Sequence, residues 1–186
     1  LAIRGAMVID GTGAPPRGPL TVVVKGNRIE SIGRFGGRAD RTIDARGMYL
    51  LPGFVDMHAH AGDPQKAPEA EYVYKLWLGH GVTTVRGVPL SKLGWTESEK
   101  ARSAANEIVA PRMFAYHTLG SGEEYEDEKI LTPEQAREWV RYLAKQGADG
   151  LKLGSHRPPI MAALIDEAKK NGMGTVAHLG PMGVAQ

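Results

Sequence analysis

The sequence predicts an α/β protein in which a short all-β segment precedes a run of strand–helix units. Three observations carry this prediction. The first fifty residues alternate β-branched runs with Gly, Pro and Asn punctuation. Pro52-Gly53 then breaks the rhythm. Beyond it, short apolar runs alternate with amphipathic stretches of ten or more residues, and a strand–helix–strand crossover builds a parallel sheet. The expected domains are therefore residues 1–52 and 53–186.

In the first domain, residues 6–10 (Ala-Met-Val-Ile-Asp) predict a short strand ended by Gly11-Thr12-Gly13. Residues 13–19 hold three prolines and two glycines and predict a loop. Thr21-Val22-Val23-Val24-Lys25 is the clearest strand, because β-branched side chains suit a pleated surface. Gly26-Asn27 predicts a tight turn, and residues 28–33 return with alternating polarity. Residues 42–44 and 48–51 complete a small sheet of hairpins.

In the second domain, strands are expected at 54–60, 81–86, 112–116, 150–153 and 174–178. Helices are expected at 69–78, 97–108 and 160–170. A further helix has the best start signal: Thr132 as N-cap, Pro133 at the first helical position and Gln135 completing a capping box. Ala136, Trp139, Val140 and Leu143 give its apolar stripe, and Gly147 suits its C-terminal cap. Trp77 and Trp139 both lie on helical stripes and are expected in the core.

Composition narrows the function classes. The formal net charge of the 186 residues is +2, and the cations are scattered, so neither nucleic acid nor an anionic membrane is an expected partner. No apolar run approaches the roughly 20 residues that span a bilayer. There is no cysteine, so disulfides and thiolate metal sites are excluded, and any metal must use His, carboxylate or a modified side chain. The chain opens on Leu1 rather than Met, which leaves a trimmed initiator or signal peptide open. A soluble cytoplasmic protein is favoured, with a secreted or periplasmic one open.

Five parallel strands fit either an open doubly wound sheet or the first part of an eightfold barrel. No GxGxxG follows the first strand, which counts against a dinucleotide fold. A barrel takes about 250 residues, whereas 186 residues less the first 52 leave 134. The sharpest chemical feature is His58-Ala59-His60. Strand residues two apart share a face, so both imidazoles project together at the C-terminal strand end, where barrel active sites lie. Neutral imidazoles are good ligands for zinc and related ions; two exposed loop histidines are the plain alternative.

The run Leu51-Pro52-Gly53-Phe54-Val55-Asp56-Met57-His58-Ala59-His60 resembles the signature that opens the barrel in the amidohydrolase superfamily of metal-dependent hydrolases. Gly81-Val82-Thr83-Thr84-Val85-Arg86 resembles its second strand, and the preceding hairpins its small β-sandwich domain. The resemblance covers nearly the whole chain as the N-terminal portion of such a protein. It implies a (β/α)8 TIM barrel, with the first five β/α units present, behind a small N-terminal β-sandwich. Residues 147–153 resemble the fourth barrel strand of members with a carboxylated lysine, and Lys152 faces opposite Leu151 and Leu153. His178 matches a histidine on a second metal.

The resemblance therefore implies a binuclear centre, by default of two zinc ions, with manganese, iron or cobalt as alternatives. His58 and His60 would bind one ion, His178 the other, and carboxylated Lys152 both, as bridge and catalytic group. The branch most resembled is imidazolonepropionase-like and Xaa-Pro dipeptidase-like. It implies hydrolysis of an amide, cyclic amide, acyl-amino-acid or dipeptide bond by metal-activated water. A lactone or phosphotriester is the alternative substrate class. The family's histidine after strand six and aspartate after strand eight have no counterpart among the 186 residues. A non-catalytic fragment, or a module completed by a second polypeptide segment, is thus the alternative of another class, and a non-catalytic metal-binding relative is a third.

Other residues carry weaker signals. His117 and His156 follow the third and fourth strands and are candidate substrate contacts, against a plain loop reading. Asp56 shares the His58 face and is expected to buttress it. His80 reads as structural or exposed. Arg86 is followed by Gly87 where the family often has an acidic residue, which weakens any role for that turn. The acidic run 123–128 reads as a solvated loop, with a lid as the functional alternative. Substrate identity and oligomeric state are not legible.

Overall fold

A computed structural model describes residues 1–61, 70–87, 90–125 and 130–178. The chain forms two compact units, Leu1–Gly53 and Phe54–Gln186.

The first unit is one mixed sheet: β1 (Ala2–Val8), β2 (Arg17–Lys25), β3 (Arg28–Gly33), β4 (Thr42–Asp44) and β5 (Tyr49–Leu50). The strand order is β3-β2-β1-β4, with β5 also paired to β1. The hairpin expectation holds for β1–β2–β3, which are antiparallel, and Gly26 turns the second hairpin with φ +58°. β4 and β5 instead return parallel to β1. Residues 17–19, expected as loop, extend β2. The register shifts between Ala6↔Leu20 and Val8↔Arg17. Pro19 therefore sits at a bulge, where its missing N–H costs the ladder nothing. Ala2, Ala6, Val8, Val22, Val23 and Ala45 are buried.

The second unit alternates β6 (Phe54–Ala59), α1 (Ala70–Gly79), β7 (Val82–Gly87), α2 (Leu93–Ala104), β8 (Arg112–Thr118), α3 (Pro133–Gln146), β9 (Gly150–Leu153), α4 (Pro158–Lys170) and β10 (Gly174–Ala177). All pairings are parallel, in the order β10-β9-β8-β7-β6. Sheet order equals chain order, with no reversal. A doubly wound sheet reverses at a switch point, so this is a half-barrel of five β/α units.

α3 starts and ends where its residues dictate. Gln135 N donates to Thr132 Oγ1 and Thr132 N donates to Gln135 Oε1, completing the capping box. Gly147 closes the helix at φ +92°, the left-handed region glycine adopts without a Cβ penalty. Its apolar stripe of Ala136, Trp139, Val140 and Leu143 packs with Leu151 and Leu153 of β9 and with Ile160, Ala163 and Leu164 of α4. Each fully buried Leu or Val contributes about 1.5–3 kcal/mol. Trp139 is fully buried and donates its indole N–H to Ser121 O at 2.9 Å, while Trp77 packs half-buried beside Tyr74.

α2 departs from expectation: it runs Leu93–Ala104, not 97–108. Thr96 lies buried within the helix, and its Oγ1 accepts a bond from Ser91 N. Asn106, at φ 58°, turns the chain away just beyond the helix. Asn enters this region more readily than most residues.

Candidate metal-ligand site

The alternation of β8 defines the two sheet faces. Met113, Ala115 and His117 are buried, whereas Phe114 and Thr118 are exposed and Tyr116 is half-buried. The buried set faces the helices; the other set lines the concave face. On β9, Leu151 and Leu153 belong to the helix-side core. Lys152 and Gly150 therefore share the concave face.

Lys152 is 6% exposed, and its Nζ lies 3.3 Å from His58 Nε2 and 3.1 Å from His178 Nε2. The His58 and His178 rings stack with centroids 5.9 Å apart, and His60 meets His58 edge-on at 5.3 Å. His58 is carried on β6 and His178 follows β10, the two outer strands of the sheet. Their side chains can meet only because the sheet curls. Four of the six predicted site residues thus converge.

Small contacts fix these groups. Asp56 Oδ1 accepts from His58 N at 2.9 Å, His178 N donates to Leu153 O at 2.9 Å, and Arg86 Nε donates to Met57 O at 2.8 Å. Desolvation, then the charges of Lys152, His60, His178 and Arg86, holds His58 below the ordinary histidine pKa. Desolvation, then Arg86, lowers Lys152 from the usual lysine value. Both shifts favour neutral nitrogens with available lone pairs. Among the described residues no three His, Asp or Glu side chains gather around one point. The convergence is instead on the lysine amine.

The remaining candidates lie elsewhere. His117 is fully buried on the helix side, inside β8 rather than after it, and its Nε2 pairs with Glu97 Oε1 at 3.0 Å. Its Nδ1 has no hydrogen-bond partner among the described residues. His156 follows β9 on the site side; burial lowers its pKa, and its Nε2 has no hydrogen-bond partner among the described residues. His80 is exposed and bonds Leu76 O through Nδ1. Of the acidic run, Glu123–Tyr125 form a 3-10 turn, and residues 126–129 lie outside the described set.

Two concave-face residues form a feature the motifs do not signal. The Arg86 guanidinium lies over the Tyr116 ring, 5.2 Å from its centroid. The ring occupies the space above Gly150 and Gly174: a Cβ at either would come within 2.4 and 2.1 Å of Tyr116 atoms. Gly opening two successive strands, where β-branched residues are usual, is the only sequence trace of this arrangement. Gly87, in the place of the acidic residue, is filled against by Leu90, whose Cγ would lie 2.0 Å from a Cβ there.

The second unit is a curled parallel half-barrel with histidines and a buried lysine converging at its C-terminal strand ends. The amidohydrolase family profile matches residues 49–183, and the chain belongs to that family. The family typically binds divalent metals, and its homologues are carbon–nitrogen hydrolases. The chain is 29% identical over 135 residues to a dihydroorotase of Thermus aquaticus, covering 72% of this chain and 31% of that protein. It is 42% identical over 152 residues to an N-acyl-D-aspartate deacylase of Alcaligenes xylosoxydans xylosoxydans, covering 78% and 26%. The fold is similar to that of a molinate hydrolase (TM-score 0.78, 19% identity, 95% of this chain and 52% of that one). It is also similar to a Xaa-Pro dipeptidase with methionine in its active site (TM-score 0.71, 23% identity, 95% and 55%). The chain thus spans about half of these solved structures and about a third or less of these two sequence relatives.

Proposed function

We propose that this chain carries the first metal-ligand strands of a hydrolase that cleaves the carbon–nitrogen bond of an amide, cyclic amide, N-acyl amino acid or dipeptide. The observation that carries the reading is the buried Lys152 amine, held between two imidazole nitrogens at 3.1 and 3.3 Å and in no ion pair among the described residues. An ammonium in that position is costly, and the lowered pKa favours the free amine. The amine lone pair adds to carbon dioxide: an N–C bond forms, one proton leaves, and a carbamate with two oxygens results. A cationic side chain thereby becomes an anionic one able to bridge.

In this reading His58 and His60 hold one divalent ion, His178 another, and the Lys152 carbamate both. Zinc is the expected metal, and manganese, iron and cobalt accept the same nitrogen and oxygen donors. Bound ions supply Lewis acidity, which acidifies water and polarises a carbonyl. The protein's own groups do the positioning. Asp56 holds the backbone at His58, and Arg86 ties the Met57 carbonyl, so the end of β6 keeps both imidazoles on one face. The lowered His58 pKa keeps its ring neutral, the ligating form.

A second polypeptide segment is part of the proposal. β6 and β10 are edge strands of the described sheet, and Val55 and Met57 of β6 are more than half exposed. Such edges are templates for further strands. The test of function is Lys152→Ala, assayed over a panel of dipeptides and N-acyl amino acids. Hydrolysis should be abolished; full activity in the variant would remove the carbamate from the account.

A further inference from the structure

We propose that Arg86 is the anchor for a substrate carboxylate, so that the bond cleaved lies in an N-acyl amino acid or dipeptide with a free α-carboxyl group. The inference deepens the hydrolase reading above and rests on it for the identity of the reacting bond.

The guanidinium is a built feature of the concave face. Its Nε is committed to Met57 O at 2.8 Å. One flat side is carried on the Tyr116 ring at 5.2 Å, a stacking that Arg accepts and that fixes its plane. Tyr116 is in turn seated over Gly150 and Gly174, where any side chain would collide with it. The two Nη groups therefore have a fixed plane and direction. Among the described residues Arg86 makes no ion pair and no hydrogen bond beyond the one to Met57.

A positioned guanidinium with its terminal fork unspent is the geometry that accepts a carboxylate through two parallel N–H···O bonds. It shares the concave face with Lys152, and its charge bears on both Lys152 and His58. In an N-acyl amino acid the carboxylate carbon is only two atoms from the scissile nitrogen. One molecule can then set its carboxylate on Arg86 while its acyl carbonyl faces the lysine–histidine cluster. A cyclic amide or urea without a carboxylate leaves the fork empty, which is what makes Arg86 a specificity residue.

The test is equilibrium binding by calorimetry to the metal-loaded protein. The probes are the N-acetyl derivatives of aspartate, glutamate, methionine and proline, D and L, each beside its C-terminal carboxamide. At least one acid should bind tenfold or more tightly than its amide in the wild type. Arg86→Met should bring the acid-to-amide affinity ratio down to about one, whatever it does to the two affinities separately, and Arg86→Lys should restore part of the ratio. Equal binding of acid and amide in the wild type overturns the proposal, as does the absence of saturable binding by any acid. A preference that survives in Arg86→Met overturns it too. Should Arg86→Met lose its circular dichroism signature, the wild-type comparison and Arg86→Lys decide. Acid-selective, Arg86-dependent binding without hydrolysis would keep this inference and refute the hydrolase reading. Hydrolysis of acids and amides alike, indifferent to Arg86, would do the reverse.

Discussion

Replacing Gly174 with alanine sets a methyl group where the Tyr116 side chain lies. The added Cβ would fall 2.1 Å from Tyr116 Oη, 3.0 Å from Cζ and 3.3 Å from Cε1. Gly174 does not have a left-handed φ, so on backbone grounds alone the change should stabilise by about 0.4–1 kcal/mol through the unfolded chain. Packing reverses the sign. The ring already lies over Gly150 as well as Gly174, with Arg86 stacked on its face, so making room for the methyl means giving up one of these contacts. Overpacking of this kind costs about 1–3 kcal/mol. The same substitution in a Tyr116→Ala background should be neutral or stabilising, which gives a coupling energy of at least about 1 kcal/mol, in the range for touching residues. Urea midpoints of the four proteins, followed by circular dichroism, measure it. Additivity to within about 0.5 kcal/mol would refute the seating of Tyr116 over Gly174, and with it the fixed plane of Arg86.

Two further predictions concern stability and pH. Thr132→Ala removes one arm of the capping box of α3 and should cost about 1 kcal/mol; an unchanged urea midpoint would mean the cap carries no net stability. Asp44 accepts side-chain and backbone hydrogen bonds from Arg46, which lower its pKa from 3.8 to about 2. Its folded pKa is depressed, so the stabilisation is present above pH 3.8 and is lost as pH falls through about 2. An NMR titration of the Asp44 carboxyl should show a midpoint near 2 that returns toward 3.8 in Arg46→Ala; a wild-type midpoint near 3.8 would refute the ion pair.

Parity made part of the convergence around Lys152 legible. Lys152 alternates with Leu151 and Leu153, so its face follows from sequence spacing, whereas His60 lies one residue beyond the end of β6 and meets His58 edge-on. The cap at Thr132 and the stop at Gly147 were equally legible, because each is a local backbone requirement met by one residue type. His117 was not. In Arg112-Met113-Phe114-Ala115-Tyr116-His117-Thr118 both alternating sets contain apolar residues, so parity alone cannot choose the helix-facing set. Only the packing of α2, with Glu97 at 3.0 Å, turns His117 outward. The start of α2 at Leu93 was not legible, because Lys92 in the N-cap position offers no side-chain cap. Arg86 and Tyr116 lie on different strands, and their stacking depends on two glycines 24 residues apart, a relation no local pattern encodes.

The most direct test of the account is metal stoichiometry by elemental analysis, on protein purified with bicarbonate, in the wild type and in Lys152→Ala. The account predicts two divalent ions per chain in the wild type and fewer in the variant, because the lysine carbamate is the shared ligand. One ion bound equally by both proteins, or none by either, would contradict it.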